Sequence, residues 1–137
     1  MGLTFFYNSY MMRNKEIDMN KETLKNATAL VEACEKLCND ISTALYKVYP
    51  HTKEHGTTHD YTIGKKYIKI IECREGLPRS VWGFINVGNK KFQVGDVLKA
   101  AGWAAPALNA PRGNILEGYE IGVNHKTHRV FGPDYLV

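Results

Sequence analysis

An α+β fold, one long N-terminal helix followed by a small antiparallel β-sheet, is predicted by three features of this chain. From Asn20 to Tyr49 apolar residues recur at helical spacing with no Gly or Pro among them. Beyond residue 60 the period changes to short β-branched and aromatic runs set apart by Gly, Pro and Asn. The chain has 137 residues, 44% of them hydrophobic, enough to bury one core without metals or disulfides. The predicted organisation is a single domain over 1–137, with a flexible arm over 1–18, the helix over 20–49 and the β core over 60–137.

The helix carries an a/d seam. Leu24, Ala27, Val31, Cys34, Cys38, Ile41, Leu45 and Val48 alternate at three- and four-residue steps. Asn20 is placed to cap the start with Glu22 in the first turn, and Pro50 ends the helix because the residue before a proline is pushed out of helical geometry. Leu30, Leu37 and Ala44 widen the apolar face. Such a face can pack on its own sheet and on a second helix at once, which predicts a homodimer or higher homo-oligomer through residues 24–48. The alternative is a lone amphipathic helix lying across the sheet, a packing that small Ala and Cys residues also suit.

HTKEHGTTHDYTIGKK, residues 51–66, reads as a polar connection leading into a strand. YIKII (67–71), RSVWGFINV (79–87) and KKFQVGDVLKAA (90–101) then read as an antiparallel meander separated by EGLP and GN turns. Gly95 and Asp96 are placed to divide the third run with a tight turn. The tail, YEIGVNHKTHRVFGPDYLV, is predicted to add one or two short strands around NHKTH.

Eighteen basic against fourteen acidic residues give a formal charge of +4. This mild bias favours anionic partners and falls short of the dense basic stripe of a dedicated duplex-DNA binder. Three cysteines, an odd number, argue against a disulfide scaffold and for a reducing compartment. No run is long and apolar enough for a membrane span, and the start lacks the layout of a signal peptide. An intracellular protein with no membrane partner is expected.

Little in the chain points to bond-making chemistry. His51, His55 and His59 recur every fourth residue, but Gly56 and Thr57-Thr58 oppose the helix that would stack them, and no paired Cys or HEXXH spacing accompanies them. A solvated loop is the simpler reading, and no metal is expected. Cys34 and Cys38 sit on the apolar stripe as small core residues. GxSxG, P-loop, GxGxxG and paired-carboxylate patterns are absent. The chain is therefore expected to have no catalytic residues and no cofactor. The enzymatic alternative is a hydrolase using His55 and His59 as acid and base.

Binding chemistry is better represented. Strict alternation in RSVWGFIN places Trp82 and Phe84 on one face, either as a stacking platform or as core rings beneath the helix. The segment KAAGWAAPALNAPRGNI, residues 99–115, follows, with Pro106 and Pro111 fixing the backbone without hydrogen-bond ladders. At its end Arg112 offers a planar fork of donors, Gly113 a place for close backbone approach, and Asn114 an amide that donates and accepts. A phosphate or ribose suits that set. One charge-assisted hydrogen bond contributes about 1.5–3 kcal/mol, against about 12 kcal/mol for nanomolar affinity. Aromatic walls are therefore needed, and Arg112 is otherwise free to pair with an acidic neighbour as a purely structural group.

The stretches KKYIKIIE, SVWGFINV, GDVLKAAGWAAPALNAPRGNI and GPDYL, within residues 65–135, resemble a group of short phage proteins, the anti-Thoeris sponge family. That resemblance implies a non-enzymatic protein that sequesters cyclic ADP-ribose-type or cyclic oligonucleotide signals of bacterial antiviral defence in the cytoplasm of the infected host. It also implies assembly from dimers into larger oligomers. On this reading Arg112 takes phosphate, Asn109 and Asn114 take ribose or base edges, and Trp82, Phe84 or Trp103 stack on adenine. Lys99 and Arg129 are further phosphate candidates, and with a pocket between protomers Tyr46 and Tyr49, near the helix end, are placed to close it. Pro111, directly before Arg112, departs from the family's pattern and bears on the loop geometry. The rival reading is a small nucleic-acid-binding module using the pairs Lys65-Lys66 and Lys90-Lys91.

Overall fold

A computed structural model describes residues 21–121 and 130–133, with side chains from Lys25 onward. Helix α1 (Lys21–Val48) is followed by the single turn α2 (His51–Glu54), then β1 (Thr57–Ile63), β2 (Tyr67–Arg74), β3 (Leu77–Asn86), β4 (Val97–Leu98) and a 3-10 turn (Ile115–Glu117). The strands form one antiparallel sheet in the order β1-β2-β3-β4. The predicted α+β architecture, a long helix before a small antiparallel sheet, is present. No described helix is long and apolar enough to cross a membrane.

α1 buries Leu30, Cys34, Leu37, Cys38, Ile41, Ala44 and Leu45. Most of this stripe meets Tyr61, Ile68, Ile70, Trp82, Ile85 and Val97 from the sheet and Ile115 from the 3-10 turn. Each fully buried Leu or Ile contributes about 1.5–3 kcal/mol, so this one face is the main stabilising contact. The seam thus lies against the chain's own sheet, while Glu32, Glu35, Lys36, Asn39 and Thr43 form an exposed polar face. Cys34, Cys38 and Cys73 are all buried free thiols. Burial, with Glu35 adding to it, pushes the Cys34 thiol up to about 12, which leaves it protonated and inert.

Two of the strands differ from expectation. Residues 57–63, read as part of a polar connection, form β1: Thr57 and Tyr61 are buried beneath α1, and the Tyr46 hydroxyl donates to Thr57 O. The third run, expected as strand over 90–101, is strand only at Val97–Leu98. Side chains take the backbone groups that a ladder would have used. Asn86 Nδ2 donates to Gln93 O at 3.1 Å, Gln93 N donates to Asp96 Oδ2 at 2.9 Å, and Lys91 N donates to Asn89 Oδ1 at 2.9 Å. The turn expected at Gly95 and Asp96 is there, with Gly95 at φ +91.

The β2–β3 hairpin closes through Glu75 and Gly76, both at positive φ, the two-residue geometry that matches strand twist. β3 then carries two extra residues. Ile70 pairs with Gly83 and Ile71 with Val81, which leaves Trp82 as a bulge; Glu72 pairs with Ser80 and Cys73 with Pro78, which leaves Arg79 as another. A bulge reverses the side-chain alternation. Trp82 and Phe84 therefore do not share a face: Trp82 enters the core under α1, while Phe84 lies on the other side with Tyr67 at 6.1 Å between ring centroids.

Residues 99–115 also depart from expectation, since the segment does form backbone pairs. Ala107 N donates to Lys99 O, Arg112 N to Val97 O and Val97 N to Gly113 O, all within 2.8 Å, and Ala100 bridges to Pro106. Val130 packs on Ala44 and Leu45, and Pro133 covers Gly83, where a Cβ would sit 2.9 Å from Pro133 Cγ. The strands expected around residues 124–128 lie outside the described residues.

Candidate functional site

In the Arg112 loop most polar groups bind the loop itself. Arg112 Nε donates to Ala110 O at 3.0 Å and an Nη to Asn109 Oδ1 at 3.1 Å; Asn109 Oδ1 also accepts from Ala110 N at 2.9 Å. Asn114 is buried and fully engaged. Its amide donates to Val94 O and Asp96 Oδ1, both at 3.0 Å, and its Oδ1 caps the 3-10 turn through Leu116 N at 2.8 Å. Gly113, at φ +148, does accommodate a close approach, but the approaching group is the Tyr119 ring, whose centroid stands 6.3 Å from that of Trp82. Asn114 and Gly113 therefore hold the loop to the core, in place of the ligand contacts expected of them.

The aromatic candidates are divided. Trp82 and Phe84 are each 2% exposed and closed to a ligand. Trp103 is 53% exposed, with Lys69 Nζ 4.7 Å above its ring and 6.0 Å from that of Phe84. Lys99 is half-buried near Gly132. Arg129 lies outside the described residues. Arg112 and Asn109 thus come together, and so do Phe84 and Trp103 through Lys69, while Trp82 and Asn114 belong to the interior.

An open cleft of about 420 Å³ lies elsewhere, at the C-terminal end of α1. Its helix wall is Leu45 and Tyr49; His51 and Thr52 of α2 form one side, and Thr57, Glu72 and Arg74 of the paired ends of β1 and β2 form the floor. Phe131 completes it, 59% exposed, with its ring centroid 5.6 Å from that of Tyr49. Pro50 creates this corner. It ends α1 so that α2 restarts at once, with Thr52 N and Oγ1 both donating to Tyr49 O. Tyr49 was among the residues expected near a pocket; Arg74, Glu72 and Phe131 were not, since a strand-end arginine and glutamate look like ordinary solvated charges.

Beneath the floor a polar line enters the protein. Ser42 Oγ lies 2.8 Å from His59 Nδ1, and His59 Nε2 lies 3.7 Å from Glu72 Oε1. The His59 ring is 0% exposed. His59 first, then the charges of Arg74 and Arg79, hold the Glu72 carboxyl below its usual range against the opposing effect of burial. His59 does not line the cleft, and His55 is exposed at the end of α2 with its ring 5.7 Å from His51. The acid and base of the enzymatic alternative therefore differ in access, His55 being exposed and the His59 ring closed to solvent. Among the described residues, no group of three or more His, Cys, Asp or Glu side chains is suited to a metal ion.

Residues 7–127 match DUF7717, described as a family of unknown function, and the chain belongs to that family. The match begins inside the segment read as an arm. No curated protein and no solved structure matches the chain.

Proposed function

We propose that this member of the DUF7717 family is a non-catalytic binding protein that takes a small nucleotide anion, of the cyclic ADP-ribose type, into the cleft at the end of α1. The observation that carries this reading is the pairing of two aromatic residues, Tyr49 and Phe131, with Arg74 in the lining of one concavity. Rings offer stacking to a base, and a planar guanidinium offers two parallel donors to a phosphate. The volume falls within the range of small-ligand sites. The resemblance to phage sponge proteins supports the same class of ligand, held without cleavage in the cytoplasm of an infected bacterium. A homo-oligomer built along α1 would join through the polar face, because the apolar seam faces the sheet.

Calorimetric titration with cyclic ADP-ribose tests the reading. Arg74→Ala is expected to weaken binding by about tenfold or more, the equivalent of one charge-assisted hydrogen bond. Arg112→Ala is expected to change affinity less than twofold. After denaturation the ligand should be recovered intact. An unchanged Arg74→Ala affinity, or recovery of a cleaved product, would count against the proposal.

A second reading, nucleic-acid binding, is favoured by one observation. The β1–β2 turn is tied to the end of β3 through Val87 N and Gly88 N, which donate to Lys66 O, so Lys65, Lys66 and Lys90 share one exposed end of the sheet. A steep loss of affinity for single-stranded DNA with rising salt would support it, because phosphate contacts release counterions.

A further inference from the structure

We propose that Glu72 is the acceptor for a ribose cis-diol in this cleft and that His59 is the buried residue that positions it. The cleft then selects nucleotides that carry both free hydroxyls. This inference rests on the nucleotide reading of the cleft and adds the group that distinguishes one nucleotide from another.

The argument starts from an unbalanced polar atom. The His59 ring is wholly buried between α1 and the sheet, and its Nε2 has no hydrogen-bond partner among the described residues. Leaving such a group unsatisfied is unfavourable. Ser42 meets the other ring nitrogen at 2.8 Å. With the serine hydroxyl donating to Nδ1, the ring proton sits on Nε2 and is directed at Glu72, its cross-strand partner. The 3.7 Å separation from Oε1 is longer than a hydrogen bond, so on this proposal His59 acts on the carboxylate by electrostatic attraction across the strand pair.

Glu72 is half-buried, lines the cleft and stands beside Arg74, two residues along the same strand. An ionised carboxylate has two acceptor oxygens and no donor, so it suits two adjacent hydroxyls and repels phosphate. Arg74 has donors only. Together they form a polarised floor on which a phosphate and a sugar diol take distinct places. A carboxylate on a ribose hydroxyl is an established mode of nucleotide recognition. Without His59 the carboxylate would be free to swing onto Arg74 and reduce both functions.

The test is calorimetric titration of the full chain with ADP and with 2′,3′-dideoxy-ADP. Wild type is expected to bind ADP at least about tenfold more tightly, the effect of hydrogen bonds to a charged acceptor. Glu72→Gln and His59→Phe should bring ADP down to the level of the dideoxy compound, and His59→Phe should in addition weaken dideoxy-ADP, because the freed carboxylate engages Arg74. His59→Gln, which keeps a donor near the Nε2 position, should retain the preference; a merely space-filling role for His59 would predict no difference between the Phe and Gln variants. Equal wild-type affinity for the two nucleotides, or an undiminished preference in Glu72→Gln, overturns the diol assignment and leaves the nucleotide reading standing. Failure of the wild type to bind either nucleotide overturns the diol assignment, and failure to bind cyclic ADP-ribose as well overturns the nucleotide reading.

Discussion

Asn86 and Asn89 hold each other through a reciprocal pair of hydrogen bonds. Asn86 Nδ2 donates to Asn89 O, and Asn89 N donates to Asn86 Oδ1, both at 3.0 Å. Asn86 is almost fully buried and also reaches Gln93 O, while Asn89 Nδ2 donates to Tyr67 Oη at 2.9 Å. This small network turns the chain from β3 into β4 and so sets where the Arg112 loop begins. Asn86→Ala removes one acceptor and two donors, leaving Asn89 N without its partner and Asn89 O and Gln93 O with only Phe92 N and Asp96 N. The expected loss is about 3 kcal/mol of unfolding free energy, read by urea denaturation. A loss under about 0.5 kcal/mol, the range of surface substitutions, would mean that the network does not hold the loop.

Gly113 is expected to tolerate no side chain. Its φ of +148 is unfavourable for L residues, and a Cβ would run into the Tyr119 ring. Gly113→Ala should lower stability by about 2–4 kcal/mol, combining backbone strain with displacement of the ring. Adding Tyr119→Ala should recover only part of that loss, because it relieves the crowding and not the backbone. Thermal denaturation of the single and double variants measures the split; full recovery would show that φ contributes nothing.

Acid should remove a contribution made by Glu72. Its carboxyl is held below the ordinary range in the folded chain by His59, Arg74 and Arg79. The folded state therefore binds this proton less readily than the unfolded chain does. The stabilisation is fully present above the unfolded-chain value, about 4.3 for glutamate, and is lost as pH falls through the lower folded value. The stability difference between wild type and Glu72→Gln should accordingly be constant from pH 7 to 5 and shrink below that. A difference that grows on acidification would reverse the sign of the proposed interaction.

Local pattern located α1 and its proline stop, because the seam residues repeat with one period over seven turns and Pro50 has a direct steric effect. It also located the β2–β3 hairpin, whose Glu75-Gly76 turn is a short-range signal. It missed β1, since His59, Asp60 and Thr62 look like loop residues and only the packing of Thr57 and Tyr61 under α1 makes them a strand. The faces of Trp82 and Phe84 were equally illegible. A bulge depends on which residues of β2 stand opposite, and no alternation within RSVWGFIN reports that.

The candidate site divides in the same way. Arg112, Gly113 and Asn114 attract attention as a string, yet their polar groups meet Asn109, Ala110, Val94 and Asp96, partners supplied by chain reversal. The cleft is assembled from Tyr49, Arg74 and Phe131, which are far apart along the chain and individually ordinary.

What the amino-acid sequence determined by itself was element type and order: helix first, then antiparallel sheet, because periodicity and breakers act over a few residues. Tertiary structure decided which surface of α1 is covered, which ring of β3 is buried and where a concavity opens. Those outcomes depend on strand register and on contacts between distant segments, and a one-residue shift in register exchanges the two faces of a strand.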